Sequence, residues 1–196
     1  MKHSDEIFLA ECSNAISTAS GNLLNTAVGN YSRFIFDGDN SNEFVPDNVF
    51  RFIVKQFNNP VFWGMSESHY LVNLILYDWN RFTTIQQPYI VQLLIDNFPH
   101  FRDSMTQFVI VEILCKYVKT DESVGFVSQQ LINDSPILLD IVKSLSIAYA
   151  TFSDISQCRV QAALEGLSRR TDSGVSEDAA VILKDLREST QLHIHR

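Results

Sequence analysis

Three prolines open similar stretches of this chain at nearly constant intervals, and that spacing limits what it can fold into. The stretches are Asn59-Pro60-Val61-Phe62, Phe98-Pro99-His100-Phe101 and Ser135-Pro136-Ile137-Leu138. Pro60 and Pro99 are 39 residues apart, and Pro99 and Pro136 are 37 apart. Each precedes a long apolar pattern with helical spacing. A period of about 40 residues with two helices per unit is the signature of an α-solenoid. One such pair cannot bury its apolar faces alone, whereas stacked pairs can.

The spacing predicts helices over 47–58, 66–80, 87–98, 103–119, 121–133, 136–151, 154–169 and 177–190. Val49, Phe50, Ile53, Val54 and Phe57 give the first its amphipathic period. Ser66, Asp103 or Ser104, Asp121, Ser135, Ser153 and Ser176 stand at helix starts, where a side-chain oxygen or a carboxylate suits the free N–H groups. Pro88 opens the third helix, a place where a missing N–H costs little. No segment sustains period-two alternation, so no sheet is expected. The fold expected is all-α: an α-solenoid of antiparallel helix pairs in a single domain over 1–196. Residues 1–46 would supply N-terminal helices and an acidic loop, 47–190 about four pairs, and 191–196 a tail.

The last pair carries a further likeness. Val160-Gln161-Ala162-Ala163-Leu164-Glu165-Gly166-Leu167 and Glu177-Asp178-Ala179-Ala180-Val181-Ile182-Leu183 resemble the Ala-Ala helices of HEAT repeats. The resemblance covers residues 47–190 at the level of architecture. It implies a binding scaffold rather than a catalyst.

Aligning the second helices by distance from their prolines gives two stripes. The apolar one is Leu71, Val72, Leu74 and Ile75; then Ile110, Val111, Ile113 and Leu114; then Ile147, Ala148, Ala150 and Thr151. It is expected to face the core. The other is Glu67, Tyr70, Asn73 and Tyr77; then Thr106, Val109, Glu112 and Lys116; then Lys143, Ser146, Tyr149 and Ser153. It is expected to line a partner surface, with Tyr70, Tyr77 and Tyr149 as anchors, since tyrosine joins a large apolar area to a polar tip. Glu112 and Lys116 are also spaced to pair with each other. Trp63 and Trp79 read as packing residues.

Residues 36–48 form the one clear loop, with Asp37, Asp39, Glu43 and Asp47 and no Lys or Arg. It is not a calcium loop. Counted from Asp37, the sixth and twelfth places hold Asn42 and Asn48, where glycine and a bidentate glutamate are needed. Its carboxylates join the candidate partner surface instead. The formal net charge of the chain is −8, which disfavours phosphate backbones and favours a basic protein partner.

Chemistry is hard to place. Gly64-Met65-Ser66-Glu67-Ser68 ends in Ser where a nucleophile elbow needs Gly. No phosphate-cradling glycine loop occurs. His3, His69 and His100 stand isolated, and His193 with His195 forms an HxH in the tail without further ligands nearby. Cys12, Cys115 and Cys158 have no metal or disulfide spacing, which fits a reducing compartment, and Cys115 reads as a core residue. No membrane-spanning run and no signal-peptide pattern stands out, so the expected location is cytoplasmic. No cofactor, metal or enzymatic activity is expected. In general character the chain resembles bacterial toxin immunity proteins: small, acidic, without motifs and built for one interface. That likeness implies an inhibitor that occludes the active site of a basic toxin domain. The alternative is an adaptor or scaffold subunit of a larger complex. A nucleic-acid enzyme similar to the helical-repeat alkylpurine glycosylases ranks last, because Lys116 and Lys143 make no basic cluster.

Overall fold

The computed structural model describes residues 44–45, 47–58, 67–133, 137–170 and 174–194, with isolated helical positions between Ala10 and Asn30. Among these residues every regular element is helical. The α-helices are α1 (Asp47–Phe57), α2 (Glu67–Tyr77), α3 (Gln86–Asn97), α4 (Ser104–Ile113), α5 (Asp121–Gln130), α6 (Leu138–Ala148), α7 (Asp154–Ser168) and α8 (Val175–Ile194). The all-α expectation therefore holds for the described residues, and each predicted helix is found. Their contacts gather them into two compact units, Met1–Ile110 and Val111–Arg196.

In the first unit α1 presents Val49, Phe52, Ile53 and Phe57 to the core, all buried. Asp47 opens α1 and Lys55 closes it, each matching the partial charge of its helix end. Phe57 meets Phe101 edge-on at 5.8 Å between ring centres. In the second unit α5 packs on α6 and α7, and α8 packs on α6 and α7. Cys115 is buried, and burial pushes its thiol up to about 12. Gly125 matters here for close approach. A Cβ there would lie 3.0 Å from Nη1 of Arg159, which crosses α5 to donate to the Asp121 carbonyl at 2.7 Å.

One joint between helices recurs. After α2 the chain makes a short 3-10 turn, Trp79–Arg81, then buries Phe82 and turns at Thr83 into α3. Thr83 and Gln86 cap each other: the Thr83 N–H donates to Gln86 Oε1 at 3.0 Å, and the Gln86 N–H to Thr83 Oγ1 at 3.2 Å. Gln87 then reaches back and donates to the Trp79 carbonyl at 3.1 Å. Helix α3 thus starts just before Pro88, which sits harmlessly in its first turns.

The same joint follows α6. A 3-10 turn, Tyr149–Thr151, leads to buried Phe152 and to Ser153, which caps α7 by accepting the Ser156 N–H at 3.1 Å. Gln157 donates back to the carbonyls of Tyr149 at 3.3 Å and Phe152 at 3.2 Å. Between α3 and α4 the joint returns with one extra residue, Arg102. There the turn is Phe98–His100, the buried residue is Phe101, and the cap is Asp103. Gln107 donates to Phe101 O at 2.9 Å. In each case a glutamine amide satisfies carbonyls that the helix end leaves open. The joint between α4 and α5 is different: α4 loosens into a π turn over Leu114–Val118 and ends on Lys119, a left-handed residue with φ 55°.

This recurrence corrects the proline alignment. Helix α2 begins seven residues after Pro60, α4 five after Pro99 and α6 two after Pro136, so equal offsets do not mark equal faces. The expected apolar stripe is buried in α2 and α4. On α6, Ile147 is 84% exposed, and Ala150 and Thr151, in the turn after it, are exposed too. The core there is Leu138, Ile141, Val142, Leu145 and Ala148. The second stripe fails in part for the same reason, since Thr106, Val109 and Tyr149 are buried. Ser123 takes no part in the predicted starts, yet it shows that Thr120, not Asp121, caps α5. Helix α8 begins at Val175, one turn position ahead of Ser176, with Glu177 and Asp178 in its first turn as expected. The caps expected at Ser66 and Ser135 lie outside the described residues, as does Trp63; Trp79 is buried as a packing residue should be.

Candidate functional site

The outward face of α2 holds the tightest group of predicted site residues. Its sequence, ESHYLVNLILY, turns Leu71, Val72, Leu74 and Ile75 inward, and so forces Tyr70 and Tyr77 outward. Tyr70 is 42% exposed and Tyr77 59%. Asn73 lies between them at helical spacing, so the three share one face.

Behind this face sits a polar brace that spacing alone did not reveal. The Asn73 side-chain amide donates to His69 Nε2 at 2.8 Å and to the His69 carbonyl at 3.0 Å. With Nε2 accepting, the neutral ring carries its proton on Nδ1. Nδ1 faces Asp103 Oδ2 at 3.9 Å, beyond direct bonding but within electrostatic reach. The ring also meets Tyr70 edge-on at 6.1 Å. His69 is therefore not isolated, as its sequence position suggested.

Asp103 is held as the cap of α4. Its carboxylate accepts the Thr106 hydroxyl at 2.6 Å, the Thr106 N–H at 2.8 Å and the Met105 N–H at 3.3 Å. The Thr106 hydroxyl leads the forces that hold this carboxyl below its usual range; partial burial opposes, and the two N–H groups and His69 assist. The sequence offers Asp103 or Ser104 as the helix start, and the structure uses Asp103. Its approach to His69 depends on the packing of α2 with α4, which no local pattern encodes.

The other predicted site residues are scattered. Asp47 is exposed at the start of α1. Asp37, Asp39 and Glu43 lie outside the described residues, as does the side chain of Glu67. Glu112 pairs with Lys116 at 3.5 Å, the pairing that their spacing allows. Tyr149 is 6% exposed, and its hydroxyl takes the Gln161 amide at 2.6 Å. It is a packing residue of its corner, not a surface anchor. Among the described residues, no group of three or more metal-ligating side chains occurs.

The arrangement suits recognition. Two tyrosines stand out from a helix on whose same side Asn73 is held by His69, and a tyrosine offers a large contact area for few rotatable bonds. Comparison with protein-family models, with curated proteins and with solved structures returns no match. The class that the observations define is an all-helical protein with a recurring helix joint.

Proposed function

We propose that this chain is a protein-binding inhibitor, an immunity protein that neutralises a bacterial toxin by covering its active site. The observation that carries the reading is the exposed Tyr70–Asn73–Tyr77 face, in which His69 holds Asn73. Tyrosine anchors on a rigid element are what a single tight interface needs. The formal charge of −8 favours a basic partner and speeds its capture. Asp47 would add to that field, and Asp37, Asp39 and Glu43 extend it in sequence.

The finer architecture belongs to the same proposal. The helices are read as a HEAT-like solenoid of antiparallel pairs. The joint repeated after α2, α3 and α6 supports this, because solenoids reuse one connection. The chain would act in the cytoplasm. Free Cys115 and Cys158 fit such a compartment, and among the described residues no helix is long and apolar enough to cross a membrane.

The test is capture of the tagged chain from its native cell, beside a Tyr70→Ala/Tyr77→Ala variant. One basic toxin domain in equimolar amount, lost from the variant by more than tenfold, supports the reading. Several substoichiometric partners would point to an adaptor subunit. A partner retained equally by both forms would remove the α2 face from the interface.

A further inference from the structure

The hydrogen bonds of Asn73 fix which end of its amide the tyrosine face displays. A backbone carbonyl can only accept, so the group that meets the His69 carbonyl at 3.0 Å is the amide nitrogen. The same nitrogen donates to His69 Nε2 at 2.8 Å, and both of its hydrogens are thereby spent on His69. The oxygen, Oδ1, accepts nothing among the described residues and is left for a partner. With Tyr70 and Tyr77 exposed on either side, the face offers a hydrogen-bond acceptor between two aromatic rings.

The other side of the histidine ring is unfinished. Nδ1 is buried and has no hydrogen-bond partner. Among the described contacts, Asp103 at the start of α4 is the charged group that faces it, with Oδ2 at 3.9 Å. Tyr70, edge-on at 6.1 Å, is the titratable neighbour on α2 itself. An unpaired buried N–H beside a carboxylate suits a neutral ring poorly and an imidazolium well. Asp103 stays a carboxylate throughout the histidine range, because the Thr106 hydroxyl foremost holds its carboxyl below the usual value. The His69 side chain is 32% exposed, so protons reach it.

A second proton can enter only on Nε2, the atom that accepts from Asn73. Two donors then face each other across 2.8 Å, and the amide must let go. Turning the amide over would give Nε2 an oxygen, but would set that oxygen against the His69 carbonyl. The two states therefore exclude each other. In one, the neutral ring holds Asn73 and Nδ1 goes unpaired. In the other, the charged ring is drawn to Asp103 and Asn73 is free.

We infer that His69 and Asn73 form an acid-released latch on the tyrosine face: the neutral ring displays the Asn73 carbonyl oxygen to a lysine or arginine of the basic partner, and protonation of His69 withdraws it. The latch is read without a partner; its use in recognition rests on the proposed binding function. Nuclear magnetic resonance of the isotope-labelled full chain, from about pH 8 to about pH 5, tests it. His69→Phe identifies the ring signals by their loss, and Asn73→Asp the side-chain amide signals. At the alkaline end the His69 ring should carry its proton on Nδ1. As the ring takes up the second proton, the Asn73 amide signals should move with the same midpoint. Asp103→Asn keeps a capping side chain without the charge, and should shift both transitions together to lower pH. In His69→Phe the Asn73 signals should stay still over this range. A proton on Nε2 at the alkaline end, or an amide indifferent to the titration of His69, would overturn the latch and leave the binding function standing. The basic protein captured through the tyrosine face should bind about tenfold more weakly across the transition in wild type, with no such step in His69→Phe. Undiminished binding while the amide turns would overturn the part of the latch in recognition. A latch that turns in a chain that captures no partner would overturn the binding function alone.

Discussion

The corner between α2 and α3 and the corner between α6 and α7 share one backbone path but differ in what they bury. The first seals Asp78 and Arg81, 1% and 7% exposed, as a pair 3.2 Å apart. The second has Ala148 and Thr151 at the same places, with Thr151 exposed and its hydroxyl given to the Ala148 carbonyl at 2.7 Å. The difference follows from a neighbour. Over the first corner lies the segment leading into α1, whose Val45 N–H donates to the Arg81 carbonyl at 3.0 Å. A corner needs no charge to fold, as the second one shows; the first carries a charge pair where another segment covers it.

The pair is also imperfect. Asp78 Oδ2 has no hydrogen-bond partner. Burial raises the Asp78 carboxyl above its usual range, and Arg81 pulls it only part of the way back. A buried ion pair of this kind stabilises little in total, yet each half depends heavily on the other.

The sharpest way to break the comparison is Arg81→Thr, which gives the first corner one residue of the second and strands Asp78. It should cost about 3–5 kcal/mol by urea denaturation. The sign of its pH dependence follows from the raised carboxyl. The folded state holds the Asp78 proton more tightly than the unfolded one, so the deficit should shrink as pH falls toward the ordinary carboxylate range and grow as pH rises above it. A deficit independent of pH would mean that Asp78 is not the group left stranded.

Next in size are the corner glutamines. Gln157→Ala removes bonds to two carbonyls and should cost about 1–2 kcal/mol, whereas Gln87→Ala removes one and should cost about 1 kcal/mol. Equal losses would show that the glutamines act by packing instead. At the third corner, Asp103→Ala deletes the α4 cap and should cost about 1 kcal/mol. Because its folded carboxyl lies below the ordinary value, that contribution is present above about pH 4 and is lost as pH falls further. A pH series of wild type and variant should therefore converge in acid. The smallest effect belongs to the joint that lacks the corner. Lys119→Gly relieves a left-handed residue and should add about 0.5–1 kcal/mol.

These features were unequally readable in the chain. Helix positions followed from apolar spacing and caps: Ser153 and Asp103 act where a short oxygen-bearing side chain stands before an apolar run, whereas α5 is capped by Thr120, one place ahead of the Asp121 that the pattern offers. The repeat was visible in the wrong marker. A proline tolerates several places around a helix start, so the proline spacing fixes no face. Phe82-Thr83-Thr84-Ile85-Gln86-Gln87 and Phe152-Ser153-Asp154-Ile155-Ser156-Gln157 carry the true register. Their signal is a buried aromatic, a cap and a glutamine at fixed spacing. Of the site, Tyr70, Asn73 and Tyr77 were legible as one face of an amphipathic helix. Tyr149 was misplaced because the proline register put it on the surface stripe. The His69 brace was illegible, since Asp103 is 34 residues away in sequence and reaches it only through helix packing. The Asp78–Arg81 pair was equally hidden: its spacing is that of any surface pair, and only the covering segment makes it buried.

The most direct test of the account is the double variant Asp78→Ala/Arg81→Thr, which writes the second corner into the first. If the two corners are one structural unit, urea denaturation should place this variant within about 1 kcal/mol of wild type, recovering most of what Arg81→Thr alone loses. A double variant as unstable as the single one, or one that loses its helical signal, would contradict the equivalence of the two corners.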